Sequence, residues 1–308
     1  MERKLIRHLE ARGYQARLVS LHRLHGLREA LESNHRQGLF EESFYQERLT
    51  GFDFEPPSDL PGAQSLIIVA FADPPVRFSF TRRGEQFQRI VPPTYLHWEQ
   101  KDQQVQRVLE ELLEPAGYQA APAVVPKKLL ATCSGLATYG RNNITYARGL
   151  GSFHRLAAFC SDMPCERGHW QEPQVLDQCA NCQACRRACP TGAIGEDRFL
   201  LHAERCLTFL NEKPATVPFP DWLSSSSHTC LVGCMRCQAI CPENRDVRNW
   251  IEEGEEFSER ETDLLLSESP IDELPASLRQ KLERSDLMEL LEFLPRNLSA
   301  LLASPQHG

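Results

Sequence analysis

Two cysteine runs constrain this chain more than anything else in it. The first reads Cys179-x2-Cys182-x2-Cys185-x3-Cys189-Pro190, followed by Thr191-Gly192-Ala193-Ile194. The second, Cys234-x2-Cys237-x3-Cys241-Pro242, brings only three cysteines. Two-residue gaps let one loop wrap three corners of an iron–sulfur cubane, while the next cysteine departs on a new helix. Tetrahedral zinc held by four thiolates also uses CxxC knuckles. A triple run closing on Cys-Pro, repeated in part, fits zinc badly. The spacing therefore predicts two [4Fe–4S] clusters in a ferredoxin-like module. In two-cluster ferredoxins the cysteine that closes a run ligates the other cluster. That rule places Cys179, Cys182, Cys185 and Cys241 on cluster one. It places Cys189, Cys234 and Cys237 on cluster two, whose remaining ligand is either Cys206 or Cys230.

The chain carries 12 cysteines, and its opening MERKLIRHLEARG lacks the apolar stretch and cleavage site of a secretory signal. Metal-ligand spacing without a leader points to a reducing, cytoplasmic setting rather than to disulfides. Cys133, Cys160, Cys165 and whichever of Cys206 and Cys230 is unused are left over; they read as buried free thiols, the alternative for Cys160 and Cys165 being a redox or metal pair. No run approaches the roughly 18–20 apolar residues of a membrane span. Net charge is −8, and from Ile251 onward there are fourteen Asp/Glu against five Lys/Arg. Such a tail repels a phosphate backbone. Arg77, Arg82, Arg83 and Arg89 alternate with Phe78, Phe80 and Phe87. They read as a solvated β-hairpin turning at Gly84, with phenylalanines on the core face; the alternative is a site for an anionic or nucleotide-like partner.

Patterning suggests three parts: an α/β domain over 1–170, the cysteine module over 171–250 and an acidic helical tail over 251–308. Leu5, Ile6 and Leu9 keep a helical period that Gly13 stops, and a second helix is expected over Leu24–Ser33. Ser65–Phe71 reads as a core strand ended by Pro74-Pro75. An amphipathic helix is expected over Tyr95–Leu113, a strand over 118–125 and a short helix over Lys127–Cys133. Residues 149–162 resume an apolar pattern, and Leu264–Leu266 and Leu287–Leu294 give the tail its apolar faces.

These motifs resemble those of the epoxyqueuosine reductase family, cobalamin-dependent iron–sulfur enzymes related to reductive dehalogenases. Asp59–Ala70 (DLPGAQSLIIVA) is similar to that family's entry strand. Residues 134–143 (SGLATYGRNN) resemble its glycine segment, and residues 149–162 the stretch after it. Glu204-Arg205-Cys206-Leu207 resembles its RCISY segment, so the resemblance selects Cys206 as the remaining ligand. Gly233 through Asn244 resembles its GCDxCQxxCPWN. The implied fold is α+β: a nitroreductase-like α/β domain, a double-cluster module and a short helical tail. The implied function is electron passage through two [4Fe–4S] clusters to a bound cobalamin, for reduction of a small molecule or modified nucleoside. The implied donor is a ferredoxin or flavodoxin. Gly135, Tyr139, Gly140, Arg141, Asn142 and His154 are the expected cofactor contacts, and Tyr139, Arg141 and Tyr146 the expected catalytic residues. A phenol of depressed pKa would make Tyr139 a proton donor. The family's Asp-Ser-x-Pro aspartate, its expected proton donor, falls on Ala121 here, and no carboxylate lies between Gly117 and Arg155. That departure and the short acidic tail argue against tRNA as substrate. The expected alternatives to a cobalamin enzyme are an electron-transfer protein, or an activator of a separate corrinoid protein.

Overall fold

The computed structural model describes residues 1–166, 168–267 and 269–303. Its strands, in chain order, are β1 (Gln15–Ser20), β2 (Ser65–Ala72), β3 (Val76–Arg82), β4 (Glu85–Val91), β5 (Ala120–Pro122), β6 (Ala137–Tyr139), β7 (Thr145–Ala147), β8 (His154–Ser161) and β9 (Glu252–Phe257). Helices accompany these largely antiparallel strands, an α+β arrangement. The chain forms two compact units. One comprises Met1–Asp73, Trp98–Gln183 and Glu196–His202; the other comprises Pro74–His97, Ala184–Gly195 and Ala203–Gly308.

The first unit is built on an antiparallel sheet in the order β1-β2-β8-β5. Strands β2 and β8 are buried nearly throughout, so both faces of the sheet are covered. Leu66, Ile68, Ala158 and Cys160 pack on one side with Leu24, Leu27 and Leu130. Ile67, Val69, Ala157 and Phe159 pack on the other with Leu5, Leu9, Val105, Leu109 and Leu113. The strand period of two thus meets helical stripes on each face. The first helix, Glu2–Glu10, ends before Gly13, whose φ of +83° needs no Cβ. The expected helix from Tyr95 starts instead at Trp98, because Thr94 and His97 hold φ of +78° and +54°. The strand expected over 118–125 shrinks to β5, whose ladder to β8 stops at Pro122, a residue with no N–H to extend it. Asp102 holds the buried Arg155 through two bonds of 2.7 Å, and Asp73 pairs with Lys101.

The second unit holds the sheet β4-β3-β9. The Arg/Phe stretch is the expected hairpin: Arg83 and Gly84 take φ of +53° and +75°, as a two-residue turn requires. Phe80 lies 5.6 Å from Phe87 and 5.0 Å from Phe257, both stacked. Burying each such ring stabilises the unit by about 1.5–3 kcal/mol. Two of the arginines are committed on the outside, Arg77 to Glu253 at 2.8 Å and Arg82 to Asp263 at 3.7 Å, while Arg89 donates to the Leu301 carbonyl at 3.3 Å. This favours the solvated hairpin over a ligand site. The tail departs from the helical expectation at β9, which runs parallel to β3. Gly254 is what lets it approach: a Cβ there would sit 2.6 Å from the Phe78 ring. Beyond it, the helix Glu259–Leu266 opens on a capping box between Ser258 and Glu261. The helices Ala276–Arg284 and Leu294–Ala303 bring Leu278, Leu282, Leu294, Leu298 and Leu301 to the same core.

Candidate iron–sulfur site

No disulfide joins any of the twelve cysteines. The first run starts on the turn Asp177–Ala180 and continues into the short helix Ala184–Ala188, which buries Cys185. That helix packs against Arg236–Ala239, which carries Cys237 and leads to Cys241. Cys189 follows the first of these helices, and Gly192 turns the chain back with φ +65°. Burial alone would push the Cys189 thiol up. The Thr191 hydroxyl and the backbone N–H groups of Thr191, Ile194 and Ala193 outweigh it, so its pKa falls. A ring of donors around one sulfur stabilises the thiolate a metal cluster requires.

Cys206 caps the helix Leu207–Asn211 and receives the N–H groups of Thr208 and Phe209; burial raises its thiol, as does the neighbouring Cys189. Cys230 bridges to Ile90 and receives the N–H of Met235; burial pushes it up to about 11. Cys234 is pushed up to about 12, first by burial and then by Cys230, Cys206 and Cys189. These four thiols therefore share one neighbourhood, in which ionising one opposes ionising the next. Three of them, Cys189, Cys206 and Cys234, belong to the set expected around cluster two, and Cys230 is the alternative the spacing left open. Among the described residues no three His, Cys, Asp or Glu side chains close on a single metal ion.

One structural partner of this neighbourhood escaped the sequence reading. Tyr95 donates to the Glu212 carboxylate, and burial together with Glu212 and the nearby Cys206 and Cys230 pushes its phenol far up. Its ring lies against Gly233, where a Cβ would meet the phenol oxygen at 2.8 Å. Gly233 also holds φ +62°, and its carbonyl accepts from the buried Asn211 at 2.8 Å. The glycine before Cys234 was the available signal; nothing local marks Tyr95 as its neighbour.

The glycine segment forms the hairpin β6–β7, in which Tyr139 faces Thr145 and Thr138 faces Tyr146. Asn143 turns it with φ +57°, donating its side-chain amide to the Phe199 carbonyl and accepting from the Leu201 N–H. Tyr139 N–H donates to the Gln174 carbonyl at 2.9 Å, and its own carbonyl accepts from Leu176 at 2.8 Å. Arg141 donates to the Cys179 carbonyl at 2.6 Å. The segment is therefore tied to the chain that enters the first cysteine run.

The residues expected to touch a corrin are mostly committed within the protein. Asn142 donates to the Tyr146 hydroxyl at 3.0 Å, and both are buried. A Cβ on Gly140 would sit 2.6 Å from each of them, and one on Gly135 would sit 3.1 Å from His169. His154 Nδ1 donates to the Gly151 carbonyl at 2.9 Å, which leaves Nε2 to accept from Thr145 at 3.1 Å. Burial depresses that imidazole to about 4, against the bond to Gly151 and the charge of Asp73, so it stays neutral. The phenol of Tyr139 is raised, not depressed: burial and the adjacent Cys133 outweigh a hydrogen bond with Thr132. Its ring meets Phe199 edge-on at 5.4 Å. These side chains are held in and around the hairpin by bonds to one another and to the backbone. Ala121 lies in β5 opposite Cys160. Cys133 and Cys160 are buried thiols raised to about 11, chiefly by burial, and Cys165 lies 3.7 Å from the Leu18 carbonyl. Among the described residues no helix is long and apolar enough to cross a membrane.

Residues 178–244 match the 4Fe-4S double cluster binding domain. The chain is 30% identical over 140 residues to the epoxyqueuosine reductase of Aliivibrio fischeri, covering 45% of this chain and 36% of that protein. It is 27% identical over 238 residues to that of Staphylococcus aureus, covering 72% and 58%. It thus spans less than two thirds of these curated relatives. The solved epoxyqueuosine reductase of Bacillus subtilis shares the fold, with a TM-score of 0.68 at 20% identity over 98% of this chain and 80% of that one. With the double-cluster domain, these likenesses make the chain similar to epoxyqueuosine reductases in sequence and in fold.

Proposed function

We propose that the protein is an epoxyqueuosine reductase-like oxidoreductase working in a reducing cytoplasm. Cys179, Cys182, Cys185 and Cys241 hold one [4Fe–4S] cluster; Cys189, Cys206, Cys234 and Cys237 hold the other. The observation that carries this reading is the gathering of Cys189, Cys206 and Cys234, each with backbone N–H groups turned to its sulfur. A ferredoxin or flavodoxin supplies the electrons, and the substrate is a small molecule or a modified nucleoside. Residues 1–170 form a nitroreductase-like domain, 171–250 the cluster module and 251–308 the tail. The four-stranded antiparallel sheet with helices on both faces supports the first of these assignments.

Cobalamin is the family's cofactor and the proposed one here; when bound it supplies the low-valent cobalt that carries the reduction. Tyr139 and Arg141 support the reading as the frame that fixes the approach to Cys179, with Tyr146 bonded to Asn142 beside them; Tyr139 does not serve as the proton donor, since its raised phenol is a weak acid. Gly135, Gly140, Asn142 and His154 belong to the same frame. With Ala121 where the family places its aspartate, the proton for a departing oxygen comes from outside this segment.

The second reading is a cobalamin-free electron carrier, or an activator of a separate corrinoid protein. The inward commitment of Asn142, Tyr146 and His154 favours it. The functional test is anaerobic turnover by the reconstituted protein with a chemical reductant, offering epoxyqueuosine as nucleoside and within a tRNA stem-loop. Loss of one oxygen from either, seen by mass spectrometry, supports the reductase. No loss from either, with both clusters present, overturns it for these substrates and leaves the carrier.

A further inference from the structure

We infer that Arg141 sets the reduction potential of the cluster ligated by Cys179, acting as a positioning residue for electron transfer and not as a clamp on a second cofactor. The inference rests on the proposed ligation by Cys179. Three observations carry it. The Arg141 guanidinium donates to the Cys179 carbonyl at 2.6 Å, so its charge lies against the backbone of a cluster ligand. Its Nε is buried and has no hydrogen-bond partner within the protein. Among the described residues no carboxylate pairs with it, and none occurs between Gly117 and Arg155 to do so.

The guanidinium is held there by backbone geometry. Gly140 N–H donates to the Ile144 carbonyl at 2.8 Å and Asn143 N–H to the Gly140 carbonyl at 3.0 Å, which closes the hairpin tip around Arg141. The bonds between Tyr139 and residues 174 and 176 hold that tip to the chain three residues ahead of Cys179. A cubane held by four thiolates is anionic, and taking up one electron makes it more so. A fixed cation favours the reduced state and raises the potential; charge and hydrogen bonds near the sulfurs are the protein's means of tuning it.

The test is an EPR-monitored redox titration of reconstituted protein, with and without added corrinoid, comparing Arg141→Gln and Arg141→Lys. Glutamine keeps a donor for the Cys179 carbonyl and loses the charge; lysine keeps both a donor and the charge. The expected result is a lower midpoint for one cluster only in Arg141→Gln, and a midpoint near that of the parent in Arg141→Lys. An unchanged midpoint in Arg141→Gln overturns the inference, as does an equal shift in both variants. Loss of one cluster's iron in both variants also overturns it, since the residue would then hold the ligand loop and not tune the cluster. Cys179→Ala separates this from the underlying ligation: iron retained on both clusters in that variant means Cys179 is no ligand, and the ligand assignment itself fails.

Discussion

Gly233→Ala should be the most damaging methyl group that can be added to the cysteine module. Two costs add at this position. The φ of +62° forces an L residue into the left-handed region, at about 1–2 kcal/mol. The new Cβ also meets the Tyr95 phenol oxygen at 2.8 Å and two ring carbons at 3.1 and 3.2 Å. Tyr95 cannot swing away cheaply, because its hydroxyl is engaged by Glu212. Overpacking of this kind costs about 1–3 kcal/mol. The sum is roughly 2–5 kcal/mol, delivered one residue before Cys234. Anaerobic urea unfolding of the reconstituted protein should show that loss, and a chelator should strip iron from one cluster faster than from the other. In a Tyr95→Ala background only the backbone cost should remain, so the same glycine substitution should then cost about 1–2 kcal/mol. Parent-like stability and iron retention in Gly233→Ala would refute the reasoning.

Three further outcomes are expected. His154 is depressed to about 4 in the fold, by burial first, from an ordinary value of 6.5. As pH falls from 6.5 the unfolded chain takes a proton that the folded one refuses until about 4, so stability drops across that window. The loss reaches about 3 kcal/mol, and His154→Gln should flatten the pH dependence of the urea midpoint; an equal slope in both proteins contradicts this. Asp102→Asn leaves the buried Arg155 guanidinium without its paired carboxylate and should destabilise the first unit by about 3–5 kcal/mol, read by thermal unfolding. Cys185→Ala should remove one cluster's worth of iron and of visible absorbance, because such sites contribute directly to folding; iron retained on both clusters in that variant removes Cys185 from the ligand set.

The cluster module was legible because ligand spacing is local: Cys-x2-Cys-x2-Cys-x3-Cys-Pro carries its chemistry in eleven or so residues. The core strand β2 was legible for a similar reason, since SLIIVAFA is short, rich in β-branched residues and closed by Pro74-Pro75, as a strand buried on both faces would be. Pairings distant in sequence were not. Glu252–Phe257 reads as solvated acid until β3 lies beside it, with Arg77 meeting Glu253 across 176 positions. Tyr139 was ambiguous for another reason: whether a tyrosine beside an arginine is an acid or a core ring depends on where its hydroxyl points. Here it points at Thr132, in a helix seven residues upstream, and the arginine turns instead to Cys179. The partners of His154, the Gly151 carbonyl and the Thr145 hydroxyl, are set by the fold around it, which the apolar pattern of residues 149–162 does not announce.

The most direct test of the account is anaerobic reconstitution with iron, sulfide and hydroxocobalamin, followed by desalting and a count of iron and cobalt. The double-cluster reading predicts two 4Fe-4S clusters, close to eight irons per chain. One cobalt beside them places this chain among the cobalamin reductases, and iron alone makes it a carrier or activator. A count near four irons or fewer, or zinc in their place, contradicts the central claim.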